Sequence, residues 1–510
     1  MRGERVIVVG AGISGLVAAW DLAASGCQVT ILEQSDYPGG KIHQSLVNGL
    51  AIDAGPTVLT MRWIFDDLFH DHGQALEDCL ELESLDVLAR HAWSDEAYLD
   101  LFSDREQTAD AIGKFAGPKE ARGYLRLSAR ADEVFDTLDL NFMRHPKPSI
   151  GSLTASVGIS QPSRLWNIRP FATLYRELGN YFSDPRLMQL YGRYATYSGS
   201  SPFLSPATLM LIAEAERRGV WRIKGGIQQL AMNLAEQVEC AGGQIRYCTG
   251  VQEISVRQHR VNGVIDREGQ YHAADAVVFC GDVGALRNGD LGTAVRVATP
   301  KPRGFERTLS AVTVAMVGKV DGFPLHHHNV FFGRDYRAEF DDIFKHDRLP
   351  RDPTIYICAQ DRANGPSGEN KHPERFLTIT NAPANGDIST LPEREVDLCL
   401  ERMFALFQRC GLTITANPTS RIVTTPADFN RMFPASGGAL YGMAMHGSTA
   451  AFNRPTARST IPGLYLAGGT THPGPGMPMA ATSGRMAAAS LISDFASTRR
   501  SHRVAMPGGT

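Results

Sequence analysis

At 510 residues the chain is too long for one hydrophobic core, so two domains are expected. A formal net charge of −3 excludes the basic excess of a nucleic-acid binder, and no run of about 18 apolar residues is present to span a bilayer. The eight cysteines are scattered without a C-x-x-C pair, which points to reduced, mostly buried thiols of a cytoplasmic protein and away from a disulfide frame or a zinc site.

The first predicted element is a strand at Arg5 to Val9, a β-branched run suited to burial on both faces. Gly10-Ala11-Gly12-Ile13-Ser14-Gly15 follows, then a helix from Leu16 to Ser25, a strand from Val29 to Leu32, and Glu33. The glycines interrupt the apolar run, so this start is not read as a signal peptide. It is a βαβ unit with G-x-G-x-x-G at its first turn. Gly10 permits the tight turn, Gly12 lets backbone approach a pyrophosphate, and Gly15 allows close helix packing. The helix N-terminus, reached through Ala11 and Ser14, offers N–H groups and partial positive charge to phosphates. Glu33 can accept both hydroxyl hydrogens of an adenosine ribose. A plain turn and a solvated strand end are the bland alternatives. The order strand, motif, helix, strand, acid weighs against both.

Pro38-Gly39-Gly40-Lys41 makes a second glycine loop, with Lys41 placed to add a cationic contact, and Asp53-Ala54-Gly55-Pro56-Thr57-Val58 comes a dozen residues later. From Trp166 to Phe203, aromatics alternate with Arg169, Arg176, Arg186 and Arg193. That stretch reads equally as a peripheral surface on the inner membrane or as a domain core with a charged outer face. A helix is expected through Leu230 and Leu234 to Val238, a strand-like segment from Ile245 to Ile254 containing Val251, and sheet at Thr308 to Val317 and Thr354 to Ala359. His326-His327-His328 reads as a surface loop, because neighbouring strand residues point to opposite faces and cannot converge on one ion; no metal is expected. Near the C-terminus a strand runs into Gly468-Gly469, then Thr470 to Pro475, Gly476, Met477, Pro478 and an alanine-rich helix from Met479 to Ser493. The polar stretch from Ser497 to Thr510 reads as a flexible tail. A nucleotide loop at one end and a glycine-rich strand-to-helix turn at the other fit FAD held between the two chain ends.

The glycine loop, PGGK, DAGPT and LAGGTTHPGPGMP resemble the flavin amine oxidase superfamily, and within it the carotenoid desaturases related to phytoene desaturase. The stretches at 53–69, 88–104 and 433–447 are similar to hydroxyneurosporene desaturases, the 1-hydroxycarotenoid 3,4-desaturases or methoxyneurosporene dehydrogenases of purple bacteria. The resemblance implies an α/β fold: a Rossmann-like FAD-binding domain with a discontinuous substrate domain of mixed sheet and helices. The expected division is 1–75, 220–300 and 455–496 for FAD, and 76–219 and 301–454 for substrate. The resemblance also implies FAD contacts at Glu33, Lys41, Thr57, Val58, Val251, Gly468 and Met477. Cys280-Gly281-Asp282 departs from the Asn-Gly-Asp or Asn-Ala-Asp of relatives, so a contact at the first of these positions is in doubt. The implied reaction introduces a double bond at the 3,4 position of a 1-hydroxycarotenoid, with an unspecified electron acceptor and no assigned acid or base. Arg62, His91 and His472 are polar candidates for the substrate's hydroxyl end, each weighed against a structural role. The rival readings are a phytoene or neurosporene desaturase, an amine oxidase, and a flavin-free isoprenoid-binding protein of the same fold.

Overall fold

The computed structural model describes residues 3–149, 151–153, 171–300, 305–362 and 373–504. Five strands, Arg5–Val9 (β1), Gln28–Leu32 (β2), Gln244–Arg246 (β3), Ala276–Phe279 (β4) and Leu464–Leu466 (β5), form a parallel sheet in the order β5-β4-β1-β2-β3. Their short β-branched runs are buried on both faces, as parallel strands require: Val6, Val8, Val277 and Val278 are 1% exposed or less. Helix Ile13–Ala24 (α1) connects β1 to β2 on one face and packs against Gln228–Cys240 (α2) and Met477–Val504 (α3). On the other face Ile7, Val277 and Phe279 meet Ile254 and Val264 of a small antiparallel sheet, Val251–Arg257, Arg260–Asp266 and Tyr271–Ala273.

The segment expected as one strand from Ile245 to Ile254 is therefore two strands in two sheets, broken where Cys248 takes a positive φ of 54°. Helix α3 starts two residues before Met479 and continues past Ser493 to Val504, through the stretch expected as a tail. After Pro478 in its first turn no proline occurs until Pro507, so no residue of that kind breaks the helix at Ser493.

The second large sheet runs in the order Leu412–Thr415, Ser310–Gly322, Glu374–Ala382, Ile355–Ala359, His328–Phe331, Val87–Ala92, Tyr98–Phe102. One face, with Phe331, Ile355, Ile357 and Phe376, packs on the amphipathic helix Glu393–Arg409 through Leu400, Met403 and Phe407. On the opposite face the register aligns His91, Val330 and Tyr356, and beside them His328, Cys358 and Leu377. This face meets Val47, Ile52 and Ala54, which lead into Gly55-Pro56-Thr57. It is the floor under the Gly55-Pro56-Thr57 turn, joined to it by the Tyr356–Thr57 hydrogen bond.

Trp166 and Arg169 lie outside the described residues. Of the remaining basic-aromatic stretch, Phe182, Tyr191 and Tyr194 are core, and Arg193 is buried among them where a charged outer face was one expectation. Phe171 is 88% exposed. Among the described residues no helix is long and apolar enough to cross a membrane. All eight cysteines are free; Cys240 and Cys248 are exposed, so the thiols are less uniformly buried than expected.

Candidate active site

The G-x-G-x-x-G loop takes its shape from positions where a side chain has no room. Gly10 has φ 102° and donates its N–H to the Leu32 carbonyl at 2.9 Å. A Cβ on Gly15 would lie 2.0 Å from the Gly10 carbonyl oxygen. The second glycine loop folds onto the first: Gly39 N–H donates to the Ala11 carbonyl at 2.8 Å, and a Cβ on Gly40 would sit 3.2 Å from Gly12 Cα. Gly55 closes on the same loop, its added Cβ falling 1.9 Å from the Lys41 carbonyl oxygen. Local glycine chemistry thus stacks three sequence-distant turns.

Glu33 is 5% exposed at the end of β2, and its carboxylate accepts the Ala11 N–H at 2.6 Å and the Ser35 N–H at 2.8 Å. The Thr249 N–H donates to the Glu33 carbonyl at 2.7 Å, which brings the turn before Val251 to the same corner. From the other end of the chain, Gly468 (φ 117°) lies against Ser14 Oγ and the Cys280 carbonyl, 3.5 and 3.2 Å from an added Cβ. Its N–H donates to Ser483 Oγ at 3.1 Å, and Thr471 Oγ1 bonds both Ser483 Oγ and the Gly468 carbonyl, each at 2.7 Å. The two chain ends converge.

Gly12, Gly40, Gly55, Pro56, Thr57, Val58 and Gly469 all retain partial exposure, although each borders buried residues. An added Cβ at Gly12 or Gly476 would meet nothing closer than 4.0 Å. These residues therefore line a groove with backbone on one side and open space on the other. Helix α1 points its N-terminus into it, and α3 begins at its far wall with Met477, which is itself 6% exposed. The donor and acceptor set fits FAD: a carboxylate for ribose hydroxyls, helix N–H groups for phosphates, and glycines permitting close approach.

Lys41 Nζ donates to the Leu440 carbonyl at 2.5 Å and lies 5.5 Å over the Phe433 ring. Burial holds its ammonium below the ordinary lysine value, with Asp282 opposing and Arg454 reinforcing the effect. Arg454 is likewise pushed down to about 10 by burial, while donating to the carbonyls of Gly469 and Met443, both at 2.8 Å. Asp282 is raised by burial, against the Gly284 N–H and the Lys41 charge. Two buried cations facing one carboxylate leave local positive charge, which suits an anionic ligand. Arg454 and Leu440 carried no recognisable spacing in the sequence. Asp53 turned out to be a clamp: its carboxylate accepts the Ile227 N–H at the start of α2 and a Gln44 amide hydrogen, and its backbone exchanges bonds with Gln360.

Arg62 pairs with Asp66 at 3.2 Å and with Glu77, so its charge is committed at the surface. Arg62→Ala is expected to cost less than about 1 kcal/mol in an unfolding titration and to leave turnover unchanged. His472 is 2% exposed, sits edge-on to Phe142 at 5.1 Å, and is held down at about 4 by burial, so it is a neutral imidazole.

The histidine triplet is not a surface loop. His326, His327 and His328 are 5%, 7% and 2% exposed, because His328 opens a strand in the middle of the second sheet. His327 stands just before that strand, free of its alternation, and reaches Cys358 Sγ at 3.6 Å; donor atoms of His327, His328 and Cys358 lie within 4.8 Å of one another. Burial pushes the Cys358 thiol far up, so it is a protonated hydrogen-bonding group. His328 Nδ1 bonds Tyr356 Oη at 2.7 Å, and Tyr356 Oη bonds Thr57 Oγ1 at 2.7 Å, linking the floor to the groove.

A surface cleft of about 420 Å³ has Trp93, Tyr175, Phe203, Phe332 and Tyr336 on its walls. Trp93 stacks on Phe332 at 5.0 Å, and Phe332 on His91 at 6.0 Å, so one aromatic column leads from the cleft to the floor.

Residues 13–492 match the family described as flavin containing amine oxidoreductase. Hydroxyneurosporene desaturase of Rubrivivax gelatinosus is 48% identical over 510 residues, covering 100% of this chain and 97% of that one. A 1-hydroxycarotenoid 3,4-desaturase of Flavobacterium sp. is 30% identical, covering 95% and 98%. Among solved structures, cyclohexylamine oxidase from Brevibacterium oxydans superposes with a TM-score of 0.56 at 14% identity, covering 96% and 99%, a likeness of fold.

Proposed function

The chain belongs to the flavin containing amine oxidoreductase family, and we propose that it is an FAD-dependent carotenoid desaturase that introduces the 3,4 double bond of a 1-hydroxycarotenoid. The observation that carries this reading is the meeting of the two glycine turns at Ser14 and Gly468, beside a floor that reaches Thr57 through Tyr356.

When bound, FAD supplies the hydride acceptor, which is the demanding part of oxidising an unactivated C–C bond. The chain's own groups hold and aim it. Glu33 would accept the ribose hydroxyls on the lone pairs that its bonds to Ala11 and Ser35 leave free, and the α1 N-terminus with Gly10, Gly12 and Gly15 would take the pyrophosphate. Lys41, Gly55, Pro56, Thr57, Val58, Val251, Gly468, Gly469, Gly476 and Met477 line the remainder. In this reading 1–75, 220–300 and 455–496 carry the cofactor, and 76–219 and 301–454 the substrate. The aromatic cleft, with Arg186, Arg334, Arg337 and Arg409 around it, suits a mouth held against an anionic lipid surface, from which a lipid-dissolved carotenoid enters.

Glu33→Gln presents an amide NH2 or a single carbonyl to two N–H donors. We expect FAD affinity to fall by about ten- to a hundredfold, read by fluorescence titration of the apoprotein. The reading as a whole is tested by giving holoenzyme 1-hydroxyneurosporene and neurosporene separately. Faster conversion of the hydroxylated compound, to a product with one more conjugated double bond, is the expected result. Equal turnover of both, or peroxide release from amines instead, would overturn it.

A further inference from the structure

Two strands of the second sheet, His328–Phe331 and Ile355–Ala359, bring three nitrogen and sulfur donors together. His328 and Cys358 are register partners, so their side chains leave the sheet on the same face. His327 stands one residue before its strand, where alternation does not turn it away, and the Ala359 N–H fixes its carbonyl at 2.8 Å. His327 Nδ1 lies 2.8 Å from the Arg362 carbonyl, which can only accept, so that nitrogen carries the hydrogen and Nε2 keeps its lone pair. Nε2 lies 3.6 Å from Cys358 Sγ. His328 stands edge-on to His327 with ring centroids 4.6 Å apart; Tyr356 Oη takes its Nδ1 at 2.7 Å, and its Nε2 is buried with no hydrogen-bond partner. The three residues are 7%, 2% and 1% exposed. His326 takes no part, since its ring is turned to Asp100 at 3.8 Å.

Donor atoms of the three, one from each, lie within 4.8 Å of one another. With the His327–Cys358 edge at 3.6 Å, one point lies within about 2.6 Å of all three, and zinc bonds to nitrogen and sulfur measure about 2.0–2.3 Å. A few tenths of an ångström of side-chain closure completes the shell. We propose that His327, His328 and Cys358 bind a zinc ion. The ion takes the place of the thiol hydrogen, so no separate cavity is needed: the S–H bond breaks, its electron pair passes from sulfur to zinc, and the proton leaves to solvent. Two imidazoles and a thiolate are a donor set that selects zinc over magnesium or calcium. The outer support is already in place. The Arg362 carbonyl on His327 and the Tyr356 hydroxyl on His328 steady the two rings, as partners of zinc-bound imidazoles do, and leave each ring a nitrogen for the ion. Three protein ligands leave the fourth tetrahedral position to water. Because Tyr356 also bonds Thr57, the ion pins two strands directly beneath the turn that borders the groove.

Flavin-loaded protein is freed of metal with a chelator, given one equivalent of zinc chloride per chain, and dialysed against metal-free buffer. One zinc should be retained per chain, and X-ray absorption at the zinc edge should show a single sulfur at about 2.3 Å with nitrogen or oxygen at about 2.0 Å. Cobalt(II) in place of zinc should give a thiolate-to-metal charge-transfer band and the strong visible bands of tetrahedral coordination. Cys358→Ser should abolish the sulfur shell and weaken zinc binding at least about a hundredfold; Tyr356→Phe, which removes only the support of His328, should weaken it about tenfold with the sulfur shell intact. Cys240→Ser/Cys248→Ser is the control for the exposed thiols and should keep the sulfur shell. If Cys358→Ser does not fold, the X-ray absorption of wild type and of this double variant decides. A shell with no sulfur or with two, zinc lost in the double variant (an adventitious ion only), or no zinc retained at micromolar free ion would overturn the site. None of these readouts involves turnover, so the site stands or falls apart from the desaturase reading.

Discussion

Gly484→Val is expected to give a protein that holds no flavin. Gly484 lies in α3 where that helix crosses α1, and an added Cβ would sit 2.3 Å from the Ser14 carbonyl oxygen, 3.1 Å from its carbon and 3.2 Å from the Ala18 nitrogen. These are backbone atoms at the helical start of the nucleotide loop, so no side chain can swing aside. The helices must separate. Separation moves Ser14 away from Gly468 and breaks the meeting of the two chain ends on which the groove depends. Alanine is the milder case, at about 1–3 kcal/mol of overpacking, and valine adds branches directed at α1. Gly113→Ala is the control: it too lies inside a helix, but its Cβ would meet the Ala121 methyl at an ordinary 3.5 Å. The check is the ratio of flavin to protein absorbance after purification with FAD, together with thermal unfolding. A Gly484→Val protein with full flavin and wild-type unfolding would refute the convergence argument.

The second large effect is acid lability. Burial is the first cause that holds His327 and His472 down at about 4 from the ordinary 6.5, and it carries His91 and His328 well below that value. The unfolded chain regains the ordinary value, so below pH 6.5 it binds protons that the folded protein refuses. Stability from these groups is complete above about 6.5 and is lost as pH falls toward about 4; His327 and His472 each stand to lose up to about 3 kcal/mol. Glu339 has the opposite sign. Burial raises it to about 7, against bonds from Thr354 and Asn381, so its contribution is complete below the ordinary 4.5 and is lost as pH rises through 7. One carboxyl offsets about one imidazole of the four. The melting temperature should therefore be highest near neutrality and fall steeply between about pH 6.5 and 4. A flat profile over that range would show that these imidazoles titrate normally.

What was legible in the sequence was what neighbouring residues decide. The βαβ unit, the acid after its second strand, the double glycine of PGGK and the proline-started C-terminal helix each follow from local backbone chemistry, and the structure shows those elements. The polar floor was invisible because its members come from 87–92, 328–331 and 355–359, brought together only by sheet register. The burial of His326-His327-His328 is hidden in the sequence for the same reason: only His328 belongs to the strand and follows its alternation, and the inner position of that strand in the sheet buries all three. Arg454 and Gly484 gave no signal, since one is defined by the carbonyls it gathers and the other by a helix 470 residues earlier in the chain.

The central claim, that the groove between the chain ends holds the cofactor next to a polyene, is tested most directly by one anaerobic experiment. FAD-loaded protein is mixed with 1-hydroxyneurosporene without any electron acceptor. The account predicts loss of the oxidised flavin's visible band, matched mole for mole by a carotenoid with one additional conjugated double bond. A band that persists while product forms, or one unchanged by substrate at saturating concentration, would contradict it.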